Sequence, residues 1–391
     1  MLFHRIDTLF SLPATVTLYD LTNTYFEGEM AINHKAQRGH SKEKRSDCPL
    51  VTLGLVLDGS GFIRRSRMFA GNVVEGTTLA EMLEGLGAPA SAMVIMDRGI
   101  ATKENIAWLV AHHYRYLVVS RERSRQFDPT EAVETTSACG QTIRIQRVVN
   151  EDATEALLYC HSQERQDKEM AINQRFIDRF ERELAKIAAG LNKPRTTKDH
   201  DKLLLRIGRL IAKSHGIGQH YRIKLIPDAT GTKAIGLTWE RLPVEGSMLT
   251  HPGVYCLRTN ELSWDATKLW QTYTMLTDLE AVFRSLKSEL GLRPIYHHKE
   301  DRAEGHLFIT VLAYQAVQAV RRQLKLHGIN ESWTSLRGIL AVQQRVTATF
   351  SQRDGRTLHV RKATVPEPAL RKIYNALGLP LTPGGVKKMI K

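Results

Sequence analysis

Cysteine is scarce in this 391-residue chain, and the four present, Cys48, Cys139, Cys160 and Cys256, lie far apart with no C-x-x-C pair. That spacing argues against a thiolate zinc cluster and a disulfide framework, and leaves reduced structural thiols. No apolar run approaches the roughly 20 residues of a membrane helix, and the opening MLFHRIDTLFSLPA lacks the sustained apolar core of a signal peptide. A cytoplasmic protein is expected. Internal repeats and low-complexity segments are absent, as are G-x-S-x-G and H-E-x-x-H, and Gly28, Gly59 and Gly61 make no phosphate loop. Acid is also in short supply. Asp plus Glu number 41 against 55 Lys plus Arg, a net charge of +14 that raises the expectation of a polyanionic partner. The excess reads as spread along the chain. What is present is ordinary globular composition, 42% hydrophobic, in a length suited to two or three domains.

Along the chain, TVTLYD (15–20) reads as a strand running into Asp20, followed by a polar turn, LTNTYFEGE, and an exposed basic loop over 34–49. LVTLGLVL (50–57), the hairpin turn DGSG and a returning strand over 62–70 complete a meander. A short helix over 74–85 precedes a compact strand, AMVIM (92–96), which ends on Asp97. Thr102 then caps a helix, and YLVVS (116–120) is a fifth strand. The order β-β-β-α-β-α-β is that of a ribonuclease-H-like mixed sheet, an α/β core (1–125). It is interrupted by an inserted domain of mixed strand and helix (126–260). Its strands are expected near 142–149, 156–160, 221–226, 234–238 and 254–257, and its helices near 168–191 and 201–215. The core resumes over 261–325, and 326–391 reads as a helical tail ending in the basic GGVKKMIK.

Between Tyr273 and Lys287, YTMLTDLEAVFRSLK reads as one helix. At about 100° per residue, Leu269, Tyr273, Leu276, Phe283 and Lys287 fall within roughly 60° of Glu280, which places this acid in the apolar stripe, while Asp278 points about 160° away. An inward carboxylate needs a cation, a shared proton or a metal as partner. With Asp20 on a strand and Asp97 at a strand tip, Glu280 completes a set of hard oxygen donors suited to Mg²⁺ or Mn²⁺; two such ions could activate water and stabilise a leaving oxygen in phosphodiester cleavage. The alternatives are turn chemistry for Asp20 and Asp97, and for Glu280 an ion pair with Lys287 or Arg284. His297 and His298 read as a surface loop. Trp239, Trp264 and Trp270 could stack on bases or pack the fold, and Lys202, Arg206, Arg209 and Lys213 form a solvated basic helix face.

YDLTNTYFEGE, VIMDRGIATKENI and the Y-x6-E-x6-K run of Tyr273, Glu280 and Lys287 resemble the three acid-bearing motifs of bacterial insertion-sequence DDE transposases. The closest likeness is to the group with a Y-x2-R-x3-E-x6-K third motif and a strand-rich insertion. The resemblance covers about 15–325. It implies a triad of Asp20, Asp97 and Glu280 binding two Mg²⁺ or Mn²⁺ ions, with Tyr273 and Lys287 contacting DNA phosphate. It further implies cleavage at element terminal inverted repeats, strand transfer into target DNA, a homodimer on DNA and a nucleoid-associated location. Leu276 stands where the group has arginine, a contact that Arg284, about 40° from Glu280, replaces only in part. Only 19 residues precede Asp20, where the group carries a DNA-end-binding region, so a truncated copy is expected. The alternatives are a ribonuclease-H-like nuclease or resolvase, and an inactive DNA-binding remnant.

Overall fold

The computed structural model describes residues 16–42, 44–86, 89, 91–121, 124–137 and 139–390, with the backbone alone for 16 and 277–279. The N-terminal stretch and the direction of Asp278 lie outside the described residues. The chain divides into two compact units, one of 1–95 with 275–391 and one of 96–274.

In the first unit, β1 (Val16–Tyr25), β2 (Leu50–Asp58) and β3 (Ile63–Ala70) form an antiparallel meander with Asp20 opposite Leu55. Every residue of β2 is buried, as its near-continuous apolar sequence requires. The turn after it is held by Asp58, whose Oδ1 accepts from the amides of Ser60 and Phe62, each at 2.9 Å. The strand order is β3-β2-β1-β4, with β4 spanning Met93–Met96. Against this sheet lie α1 (Leu79–Leu83), α6 (Leu276–Ser288) and α7 (Glu300–Leu326). The Gln315 amide of α7 bonds both backbone groups of Ile63, which locks the helix to β3. Beyond α7, α8 (Trp333–Ala341) and α9 (Pro368–Ala376) share a small core of Leu324, Leu336, Leu370 and Ile373.

In the second unit, α2 (Lys103–Ala111) is followed by β5 (Arg115–Val119), β6 (Val133–Thr136), β7 (Thr142–Val149), β8 (Ala156–Ser162) and β11 (Val254–Thr259), ordered β5-β11-β8-β7-β6. Between β8 and β11 lie α3 (Gln163–Leu191), α4 (His200–Ala212) and the hairpin β9 (Tyr221–Pro227) and β10 (Ala234–Arg241). On α3, Ile177, Phe180, Leu184, Ile187 and Leu191 recur at helical spacing and bury against Leu203, Ile207 and Leu237, so this segment has its own core. The unit ends in α5 (Ala266–Thr274).

The expected α/β architecture with a mixed sheet is present, with three corrections. First, β1 continues through LTNTY to Tyr25, where a turn was expected: these residues pair with Leu50–Gly54, and Asn23 finds a partner in the Thr52 hydroxyl at 3.1 Å. Second, the single helix expected through Tyr273–Lys287 is two, α5 and α6, separated at Met275. Thr272 and Thr274 turn their hydroxyls back onto the carbonyls of Lys268 and Gln271, at 2.7 and 2.6 Å, and compete with the helical ladder. Third, the tail is not all helical. It contains the antiparallel sheet β12 (Arg345–Ser351), β13 (Thr357–Ala363) and β14 (Lys387–Ile390), whose Thr and Val content favours strand.

Candidate active site

Asp20 interrupts an otherwise buried strand. From Thr17 to Thr24, β1 is buried at every position except Asp20, which is half-exposed and accepts from the Leu21 amide at 2.7 Å. Side chains alternate across a strand, so Asp20 shares its face with Leu18, Thr22 and Thr24. On that face the Thr24 hydroxyl donates to the carbonyl of Leu292, just past α6, and Ile295 donates to the carbonyl of Tyr25 at 2.9 Å. These bonds anchor the chain leaving α6 to the end of β1, and α6 packs on β1. On the opposite face, burial pushes the Tyr19 phenol pKa well up, and the phenol bonds the Thr78 hydroxyl.

Glu280 lies on α6, but not in its apolar stripe. Val282, Phe283, Ser285 and Leu286 are buried and Glu280 is exposed. The centre of the buried stripe is about 140° from it. The inward reading took Leu269, Tyr273, Leu276, Phe283 and Lys287 as the buried stripe, but on α6 Leu276 and Lys287 are only half-buried and the burial centres on Val282, Ser285 and Leu286, with Phe283 at its edge. The expected burial cost is therefore not incurred. Among the described residues Glu280 forms no ion pair, so the alternative partnership with Lys287 or Arg284 is not found. Arg284 is exposed and Lys287 half-buried on the same helix, and Leu276, half-buried, is its first residue. Tyr273 is half-buried on α5, its ring 6.4 Å from that of Tyr255.

Asp97 is exposed immediately after β4, the strand beside β1. Its Oδ1 accepts from the Arg98 amide at 2.6 Å and its carbonyl from Ile100 and Ala101, so a tight turn fixes the residue before Thr102 caps α2. Arg121 braces this turn by donating to the carbonyls of Arg98 and Gly99, at 3.0 and 2.8 Å. The sequence reading missed Arg121 because it stands more than twenty positions away with no motif of its own. It also missed Lys42, taken as loop, whose ammonium reaches the carbonyl of Leu21, next to Asp20, at 2.8 Å.

Other candidates resolve to packing or solvent. Trp270 is buried with its indole N–H on the Tyr255 hydroxyl, Trp239 packs on the insertion core, and Lys268 sits over Trp264. His297 and His298 are exposed, and Lys202, Arg206, Arg209 and Lys213 line the solvated face of α4. None of the four cysteines is in a disulfide. No described helix is long and apolar enough to cross a membrane.

A family model described as the transposase DDE domain matches residues 12–316. The chain belongs to this family. The match spans all three acid-bearing motifs and both units, and the fold is accordingly ribonuclease-H-like, of the insertion-sequence transposase type. No curated protein matches the chain at a significant level. As transposase ligands the acids have suitable chemistry: Asp97 and Glu280 are exposed carboxylates outside any ion pair among the described residues, and such hard oxygens suit a divalent cation. Among the described residues no three His, Cys, Asp or Glu side chains are gathered closely enough to hold one.

Proposed function

We propose that this transposase cleaves one DNA strand at each end of a mobile element and joins the freed 3′ end to target DNA, using Asp20, Asp97 and Glu280. The observation that carries this reading is the half-exposed Asp20 in the middle of a buried strand, on the face whose Thr24 hydroxyl bonds the carbonyl of Leu292 just past α6, the helix of Glu280. An acid that interrupts an otherwise buried strand breaks the local pattern, and such breaks concentrate at functional sites.

Two Mg²⁺ or Mn²⁺ ions held by the three carboxylates would supply charge neutralisation and nucleophile activation when bound. Asp20 is fixed by strand pairing and Asp97 by the turn that Arg121 braces, so both donors are held by backbone. Glu280 contributes from the helix. Tyr273, Arg284 and Lys287 hold the phosphates of the cut strand. Water forms a bond to phosphorus as the bond to the 3′ oxygen breaks, and the resulting 3′ hydroxyl attacks a target phosphodiester in the same way. Two ends cut together require at least a homodimer on DNA, in the cytoplasm at the nucleoid.

The test is nicking of terminal-repeat DNA by the wild type and by Glu280→Gln. Loss of about 100-fold or more in the variant is expected, the scale of removing one group that stabilises transition-state charge; equal nicking sinks the assignment. Strand-transfer products separate a transposase from a nuclease that only cuts. A second reading, DNA binding without cleavage, is favoured by Leu276 at the position where the motif calls for arginine. Binding with no cleavage in either Mg²⁺ or Mn²⁺ would decide for it.

A further inference from the structure

The last part of the chain lies beyond the matched family region and is strongly basic. From Arg345 to Lys391 there are ten Lys and Arg against two Asp and Glu. Much of this charge sits on β12, β13 and β14 and their turns. This small sheet is exposed on both faces: β12 after Arg345 and all of β14 are exposed, and β13 is mostly half-exposed.

The register sorts the side chains. Thr347 pairs with Arg361, which pairs with Lys387; in the next row Thr349 pairs with His359, and the two side chains bond at 2.9 Å. One face thus carries two cations directly opposite each other across adjacent strands, flanked by hydroxyls and an imidazole. The other face presents Val346, Phe350 and Ile390 with Lys362 and Lys388, which are not directly opposite each other, and Met389 shares the first face beside His359. Like charges placed opposite one another in a sheet cost stability. Among the described residues no acid pairs with either: Asp354 is taken by Arg356, at the hairpin turn. The cost is offset if an external polyanion lies on that face.

We propose that the β12–β14 face carrying Thr347, Thr349, His359, Arg361 and Lys387 docks on duplex DNA, contacting its phosphates. Three strands at a spacing of about 4.8 Å occupy about 14 Å, a little more than a major groove about 12 Å wide, so the face lies across the groove and meets the phosphates on its rims. Arg and Lys reach phosphates there, with hydroxyls as added donors. The inference rests on DNA being the partner of this protein, and not on its cleaving DNA.

The experiment measures binding of the full chain to short labelled duplexes by fluorescence anisotropy, across a salt series and in EDTA so that cleavage plays no part. The double variant Arg361→Gln/Lys387→Gln should reduce the slope of log K against log salt by about two and weaken binding to any sequence alike. Lys362→Gln/Lys388→Gln, on the opposite face, should leave the slope at the wild-type value. The first variant should melt no lower than wild type, since it removes like-charge repulsion. A slope unchanged in Arg361→Gln/Lys387→Gln overturns the proposal. If that variant also loses self-association in sedimentation, the face belongs to a second copy of the chain. Acetylation footprinting of the wild type gives a check that needs no variant: bound duplex should protect Lys387, and full modification in the complex counts against the proposal. Binding in EDTA with no cleavage in Mg²⁺ would refute the catalytic reading while leaving this one standing.

Discussion

Asp20, Asp97 and Glu280 carry their charges in three different settings, and each setting makes a separate claim about what substitution will do. Glu280 is exposed, so Glu280→Gln should leave the melting temperature unchanged while abolishing nicking; a shift of several degrees would mean that the carboxylate is a structural partner. Asp58 is the contrasting case. It is buried, its Oδ1 accepts two backbone amides, and its Oδ2 has no hydrogen-bond partner among the described residues; burial raises its pKa above the usual carboxylate value. An acid with a raised folded pKa binds more protons folded than unfolded. Its favourable contribution is therefore present below the unfolded value, about 4, and is lost as pH rises through the folded value. Asp58→Asn keeps the accepting oxygen and removes the titration. Its melting temperature minus that of wild type should be larger at pH 7 than at pH 4, and a difference constant with pH would contradict this.

At the scale of the element, the buried face of α6 is the feature with most consequence. Val282, Phe283 and Leu286 are buried while Glu280 and Arg284 are exposed and Lys287 is half-buried. Phe283 is 7% exposed, and Phe283→Ala should cost about 3–5 kcal/mol by chemical denaturation, the usual range for emptying an aromatic site in a core. Because α6 packs on β1, nicking should fall with it even at temperatures where the variant stays folded. Leu276 begins this helix. Leu276→Arg should add about one phosphate contact, read as a salt slope steeper by about one, with the affinity gain independent of DNA sequence. No change in slope would show that the first turn of α6 lies off the DNA path.

For the molecule as a whole, catalytic and binding functions are expected to separate. The family match ends at 316, and the helices and sheet that follow have their own small core and their own charge. Chelation of divalent ions should therefore abolish nicking and strand transfer while duplex binding persists, because the proposed phosphate contacts are mostly Lys and Arg side chains, which need no metal. Loss of binding on chelation would instead place the ion at the centre of DNA recognition. The insertion in the second unit has a closed core of Phe180, Leu184 and Ile207. Leu184→Ala should cost about 2–5 kcal/mol through that core.

The sequence by itself determined the succession of strands and helices in the core and the helix cap at Thr102, because these depend on local chemistry: alternation and a side-chain oxygen at a helix start. It determined the family as well, through the runs around Asp20, Asp97 and Glu280. Only the tertiary structure decided which way Glu280 faces. Residue types alone put Leu276, Phe283 and Lys287 on the inward face, whereas packing buries Val282, Ser285 and Leu286, and which of two overlapping stripes is buried depends on what the helix packs against. Tertiary structure alone also revealed Arg121 behind the Asp97 turn and Lys42 beside Asp20, contacts made by residues distant in sequence. The register of β12, β13 and β14 belongs to the same class: it places Arg361 opposite Lys387, and strand pairing between segments separated by a helix is not written in either segment alone.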